Sequence, residues 1–186
     1  MNTRIAPATA PWSAAVARRF EKMPPILLFR VLARDDRLFE RFMGGGLLDH
    51  GHLTLRQREL AILTVCARNH SDYEWGVHVG LLSERAGLSP AEVAATALPF
   101  DQASWIGEDA LIVRLCDALQ HSCDVNDALW SELRAVFDEM AVLELLMLVG
   151  KYREVCILTN ALRLELEPGM PVIPVGPPAT AQAAYS

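Results

Sequence analysis

Several things this chain lacks narrow what it can be. It has no Cys-x-x-Cys pair. Its four cysteines, Cys66, Cys116, Cys123 and Cys156, are scattered, and none sits in a tight cluster with histidine. Structural zinc sites of ordinary spacing are thereby excluded. Cys116 and Cys123 are seven residues apart, two turns along one helix and too distant for a disulfide. Reduced, mostly buried thiols in a cytoplasmic protein are the expectation. There is no run of Lys or Arg, and 17 basic residues face 23 acidic ones for a net charge of −6. A phosphate backbone calls for a basic face, so no nucleic-acid partner is expected. The longest apolar stretches, such as Ala141–Gly150, contain Glu144 and are too short to span a bilayer. The N-terminus carries Arg4 but no apolar core followed by a small-residue cleavage site, so neither a signal peptide nor a membrane partner is expected. No strand-like alternation and no internal repeat stands out.

What the chain does have is hydrophobic content, 52% over 186 residues, enough for one domain with a core. The pattern reads as all helical. Residues 1–13, rich in Ala, Pro and Thr, form a flexible N-terminal arm. Residues 14–167 form a single helical domain, and the Pro-rich segment 168–186 is a tail, either a flexible end or an arm lying on a neighbour. Helices are predicted over 14–23, stopped by Pro24-Pro25, and 26–43, stopped by Gly44-Gly45-Gly46. Further helices are predicted near 54–68, 71–86, from 90 onward, 108–121, 127–137 and 141–164. Thr54-x-x-Gln57, Ser71-x-x-Glu74 and Ser89-Pro90-x-Glu92 each fit a capping box. Gly87 fits a helix end, and Asn126 and Asp138 fit caps.

The stretch from Leu53 to Glu92 carries the chemistry. Glu59 lies on one predicted helix. Glu74 and His78 lie on the next, four apart and therefore on one face. A carboxylate and an imidazole on one face, with a second carboxylate on the preceding helix, suffice to move protons. Each has a plainer reading. His78 could be a buried histidine satisfied by a carbonyl. Glu74 could cap its helix, or accept from His78 and set its tautomer. Glu59 could pair with Arg56 or Arg58 in solvent. Cys66, two turns beyond Glu59, could line the same pocket, although packing is the ordinary role for such a residue. Tyr73 and Trp75 could wall a pocket or fill the core. Arg68 and Arg85 could hold a substrate carboxylate. His50, His52 and His70 read as surface residues, and no metal site is expected.

Leu-x-x-Arg-x-Arg-Glu-Leu-x-Ile-Leu from Leu53, then Tyr73-Glu74-Trp75-x-x-His78, then Ala-Gly-Leu-Ser at 86–89, resembles the carboxymuconolactone decarboxylase family of the AhpD-like superfamily. The resemblance spans roughly Leu27 to Glu165. It implies an all-α AhpD-like helical bundle that assembles as trimers or hexamers, with a pocket near the helix bearing the histidine. AhpD-like alkylhydroperoxidases use Glu, Cys-x-x-Cys and His. The Glu and His match Glu59 and His78, but the two cysteines fall on Ser71 and Glu74. The resemblance thus implies a cofactor-free decarboxylase-like enzyme acting on a small carboxylated lactone or related acid. His78 would be the acid or base, Glu59 its partner and Glu74 its orienter. Two alternatives stand: a peroxidase-like protein using Cys66, and a non-catalytic small-ligand-binding protein. Apolar content, a long C-terminal helix and the Pro-rich tail all fit homo-oligomer contacts.

Overall fold

A computed structural model describes residues 3–174. Among the described residues there are nine α-helices, a 3₁₀ turn at Phe100–Gln102 and no strand, so the all-α class holds. The helices are α1 (Ala14–Phe20), α2 (Leu27–Leu32), α3 (Asp36–Gly44), α4 (Leu55–Arg68), α5 (Asp72–Leu82), α6 (Pro90–Ala95), α7 (Gly107–Ser122), α8 (Asp127–Val136) and α9 (Glu139–Leu162).

The hub is α4. Every residue from Glu59 to Ala67 is buried, and α4 packs against α5, α7 and α9. A helix surrounded on all sides has no polar face to show. Its start is fixed by the Thr54–Gln57 capping box, closed in both directions. Its end is fixed by Asn69, whose Nδ2 donates to Val65 O (2.8 Å) and Gln120 Oε1 (2.7 Å). His70, at φ 52°, turns the chain, and α5 folds back on α4. The Ser89–Glu92 box on α6 is also closed, and Asn126 and Asp138 cap α8 and α9.

Two expectations are corrected. The helix predicted over 26–43 is two helices. Asp35 leaves helical geometry (φ −137°, ψ 113°) and its side chain accepts from Leu38 N at 2.8 Å, so a residue that competes for backbone donors becomes a cap. The Ser71–Glu74 box does not form. Ser71 makes no side-chain cap, because its hydroxyl is shared with Thr159 Oγ1 at 2.8 Å on α9. Glu74 is thereby left for other work. The C-terminal segment, as far as residue 174, lies along its own chain. Glu167 accepts from Leu27 N and from Tyr73 Oη (2.7 Å), and Ile173 N donates to Asp72 Oδ1 at 3.0 Å. Met170 and Pro171 sit directly over Gly76 and Gly80 of α5, where a Cβ would collide with them. The rest of the tail, 175–186, falls outside the described residues. The N-terminal arm is anchored at Ala8 N to Arg30 O and Arg4 N to Leu162 O, both 2.9 Å.

Candidate active site

The α4–α5 hairpin places Glu59 and His78 at similar heights on either side of its turn. Glu59 is ten residues before Asn69, and His78 is eight after His70. At about 1.5 Å of rise per residue the two lie about 15 and about 12 Å from the turn, within one helical turn of each other. Their side chains meet: His78 Nδ1 lies 2.7 Å from Glu59 Oε2. The other ring nitrogen, Nε2, lies 3.3 Å from Glu74 Oε1, one turn back on α5. The imidazole is therefore held between two carboxyl groups. All three residues are buried, with exposures of 0% for Glu59, 6% for Glu74 and 4% for His78. Tyr152 of α9 packs edge-on against the His78 ring at 5.1 Å. Arg58 flanks the group from behind, its Nε 3.9 Å from Glu59 Oε1 and its Nη1 donating to Asp49 O at 2.8 Å.

Burial alone disfavours an imidazolium, but the charges and hydrogen bonds of Glu59 and Glu74 outweigh it and push the His78 pKa up to about 10. With both protons on, the ring donates to a carboxyl group at each nitrogen.

A cavity of about 150 Å³ opens onto this group. His78 and Glu74 line it from α5, and Lys151, Tyr152 and Val155 from α9. Its remaining walls are almost wholly apolar, including Ile26, Phe29 and Phe42. Glu59 is not part of the wall and stands behind the ring. Lys151 places its Nζ 4.0 Å above the Phe42 ring and 3.1 Å from Glu154 Oε2.

Of the residues singled out in the sequence, Glu59, Glu74 and His78 converge. Cys66, Tyr73 and Trp75 do not line this cavity. Tyr73 is spent on structure, accepting from Leu28 N at 3.0 Å and donating to Glu167. The Trp75 indole N–H donates to Thr96 Oγ1 at 3.1 Å, within the core. Cys66 is fully buried beside Cys156 of α9, with 3.9 Å between the sulfurs. Burial, the Cys156 contact and the nearby carboxylates push its pKa well above the usual thiol range. Arg68 ties α4 to Asp117 (2.7 Å) and to the carbonyls of Thr96 and Leu98 (both 2.8 Å), and Arg85 is exposed. His50, His52 and His70 are exposed, and no cluster of potential metal ligands occurs among the described residues. Arg56 does not meet Glu59; it pairs with Glu92 (2.5 Å) and Asp109 (2.6 Å). Sequence reasoning missed Lys151 and Tyr152. Their only signal was a cation directly after the apolar stretch Ala141–Gly150 of α9.

Compared with solved structures, the fold is that of AhpD-like helical proteins. An uncharacterized peroxidase-related protein from Silicibacter sp. TM1040 superposes with a TM-score of 0.78 at 14% identity, covering 89% of this chain and 92% of that one. A second, described as an alkylhydroperoxidase AhpD core and uncharacterized peroxidase-related protein from Ralstonia eutropha JMP134, gives 0.77 at 17% identity, covering 89% and 93%. Residues 36–107, from α3 to the first residue of α7, match the carboxymuconolactone decarboxylase family. The resemblance seen in the motif is borne out over the segment that carries Glu59, Glu74 and His78. No curated protein sequence matches the chain significantly.

Proposed function

We propose that the protein is a cofactor-free acid–base enzyme of the carboxymuconolactone decarboxylase type, acting on a small carboxylated lactone or related acid. One observation carries this reading: an imidazole clamped between two carboxyl groups at the wall of an apolar cavity. Glu59 accepts the Nδ1 proton from behind and fixes the ring. The orienting role therefore falls to Glu59, while Glu74, on the cavity wall, faces the substrate. With its pKa raised to about 10, His78 is a proton donor at neutral pH. The bond to the carboxyl carbon breaks, CO₂ leaves, and the electron pair remains on the ring as an enolate. A proton passed from His78 through Glu74, which faces the cavity, is added at carbon. Solvent then restores it. Lys151 is the cation on the wall suited to the developing negative charge.

The test is CO₂ release from a panel of small carboxylated lactones. Turnover by the native protein, reduced roughly 10²–10⁴-fold in His78→Gln, supports the reading. Turnover that survives the substitution contradicts it.

A thiol-peroxidase reading through Cys66 gains one observation, since Cys156 supplies the neighbouring thiol that the sequence did not reveal. Against it stand the burial of both sulfurs and the suppressed Cys66 thiolate. Hydroperoxide treatment with thiol counting separates the two. Rapid loss of two thiols per chain, abolished by Cys66→Ser, favours peroxidase chemistry. Thiols consumed no faster than in an unfolded control exclude it.

A further inference from the structure

The carboxyl group of Glu74 is only half used. Oε1 meets His78, while Oε2 is buried and has no hydrogen-bond partner among the described residues. A buried acceptor without a donor is costly. This one belongs to a residue that is more than nine-tenths buried and lines the cavity.

The cavity around it sets the rest of the requirement. At about 150 Å³ it matches the size of apolar cavities that accept a benzene ring. Its walls of Ile26, Phe29, Phe42, Val77 and Leu82 offer dispersion contact and no hydrogen bonds. The Lys151 ammonium, in contact with Glu154 and Phe42, is itself a donor and is left to the acid function of the substrate. Both nitrogens of His78 are taken. The unmet polar demand is for a donor, at Glu74 Oε2.

We propose that the cavity selects a ring-sized, largely apolar molecule that presents an O–H or N–H donor to Glu74 Oε2. The inference builds on the acid–base reading, because a donor hydrogen-bonded there lies beside the proton source. It specifies what the substrate must carry in addition to its acid or lactone function.

The test uses phenol and toluene, which have nearly the same shape and differ in the donor. An apolar cavity without a polar demand prefers toluene, because the phenol hydroxyl must be stripped of water. Binding is measured by calorimetry and by ligand-induced shifts of the His78 ring resonances. The expected result is phenol bound at least about tenfold tighter than toluene, as befits a bond to a charged acceptor. Glu74→Gln, which keeps the shape but turns an anion into an amide, should erase most of that preference. Phe29→Trp, which fills the cavity, should weaken both ligands and show that they bind there. Equal affinities, a preference for toluene, or no binding of either overturns the proposal. Because the readout is binding, absence of lactone turnover with the phenol preference intact would count against the decarboxylase reading alone.

Discussion

His78 sets the chemistry at the residue scale. Its pKa lies above the unfolded value of about 6.5, so protonation favours the folded state. The stability it contributes is complete below pH 6.5 and is lost as pH rises toward 10. Native protein should therefore lose stability between pH 7 and 10 in denaturant titrations, and His78→Gln should lose markedly less over the same interval. Parallel curves would show that the ring is not charged in the fold. The cysteines give a second expectation. Cys123, at the end of α7, is exposed, while Cys66, Cys116 and Cys156 are buried. A mild alkylating reagent should modify one thiol per native chain quickly, and Cys123→Ser should remove that fast phase. Modification of two or more at similar rates would mean that the core is open. At this scale the sequence was readable wherever spacing alone decided. Glu74 and His78 share a face by being four apart, and a short α4–α5 turn brings Glu59 within one helical turn of His78. It was not readable where a distant partner decided. The split between capping and pocket roles for Glu74 turned on Thr159, 88 residues from Ser71, which takes the hydroxyl that would have closed the box.

Helix α5 shows how one element serves two purposes. One face carries Glu74 and His78 to the cavity, while Gly76 and Gly80 form a smooth strip for the C-terminal segment. At Gly76 an added Cβ would meet the Pro171 carbonyl oxygen at 2.3 Å, a backbone atom. At Gly80 it would meet the Met170 sulfur, also at 2.3 Å but on a flexible side chain. Alanine in a helix gains about 1 kcal/mol over glycine, and overpacking costs about 1–3 kcal/mol. Gly80→Ala should be neutral or stabilising and Gly76→Ala destabilising, as measured by thermal melts. The opposite order would place the segment elsewhere. Local signals made the element boundaries at Thr54, Ser89, Asn126 and Asp138 legible, because a cap forms within one turn. The break at Asp35 was missed because the apolar residues on both sides suggest one continuous helix, and only the Asp35 side chain marks the junction. The contact of the tail with α5 depends on residues nearly a hundred positions apart, and no periodicity reports it.

The whole molecule is organised around α4, whose burial on all sides lets α5 and α9 converge on one cavity. The all-α class was legible from helical periodicity and from the absence of strand alternation. The apolar walls contributed by α2 and α3 were not, since their approach to α5 is a tertiary event. Helix α9 leaves Met140, Leu143 and Met147 exposed at helical spacing, and Leu48 is also exposed. We propose that this stripe is covered in a homo-oligomer, as apolar patches of this kind mark association surfaces. Sedimentation should give a mass at a multiple of 20.5 kDa, and Leu143→Lys with Met147→Lys should shift it toward the monomer. A native monomer at micromolar concentration would contradict this. The central claim is narrower: a histidine held between two carboxyl groups at a cavity wall and charged at neutral pH. The direct measurement is an NMR titration of the His78 ring nitrogens in the native protein. Both nitrogens protonated at pH 7.5, with an apparent pKa near 10, is the predicted result. A neutral ring at pH 7.5, titrating near the ordinary histidine value, would contradict the account.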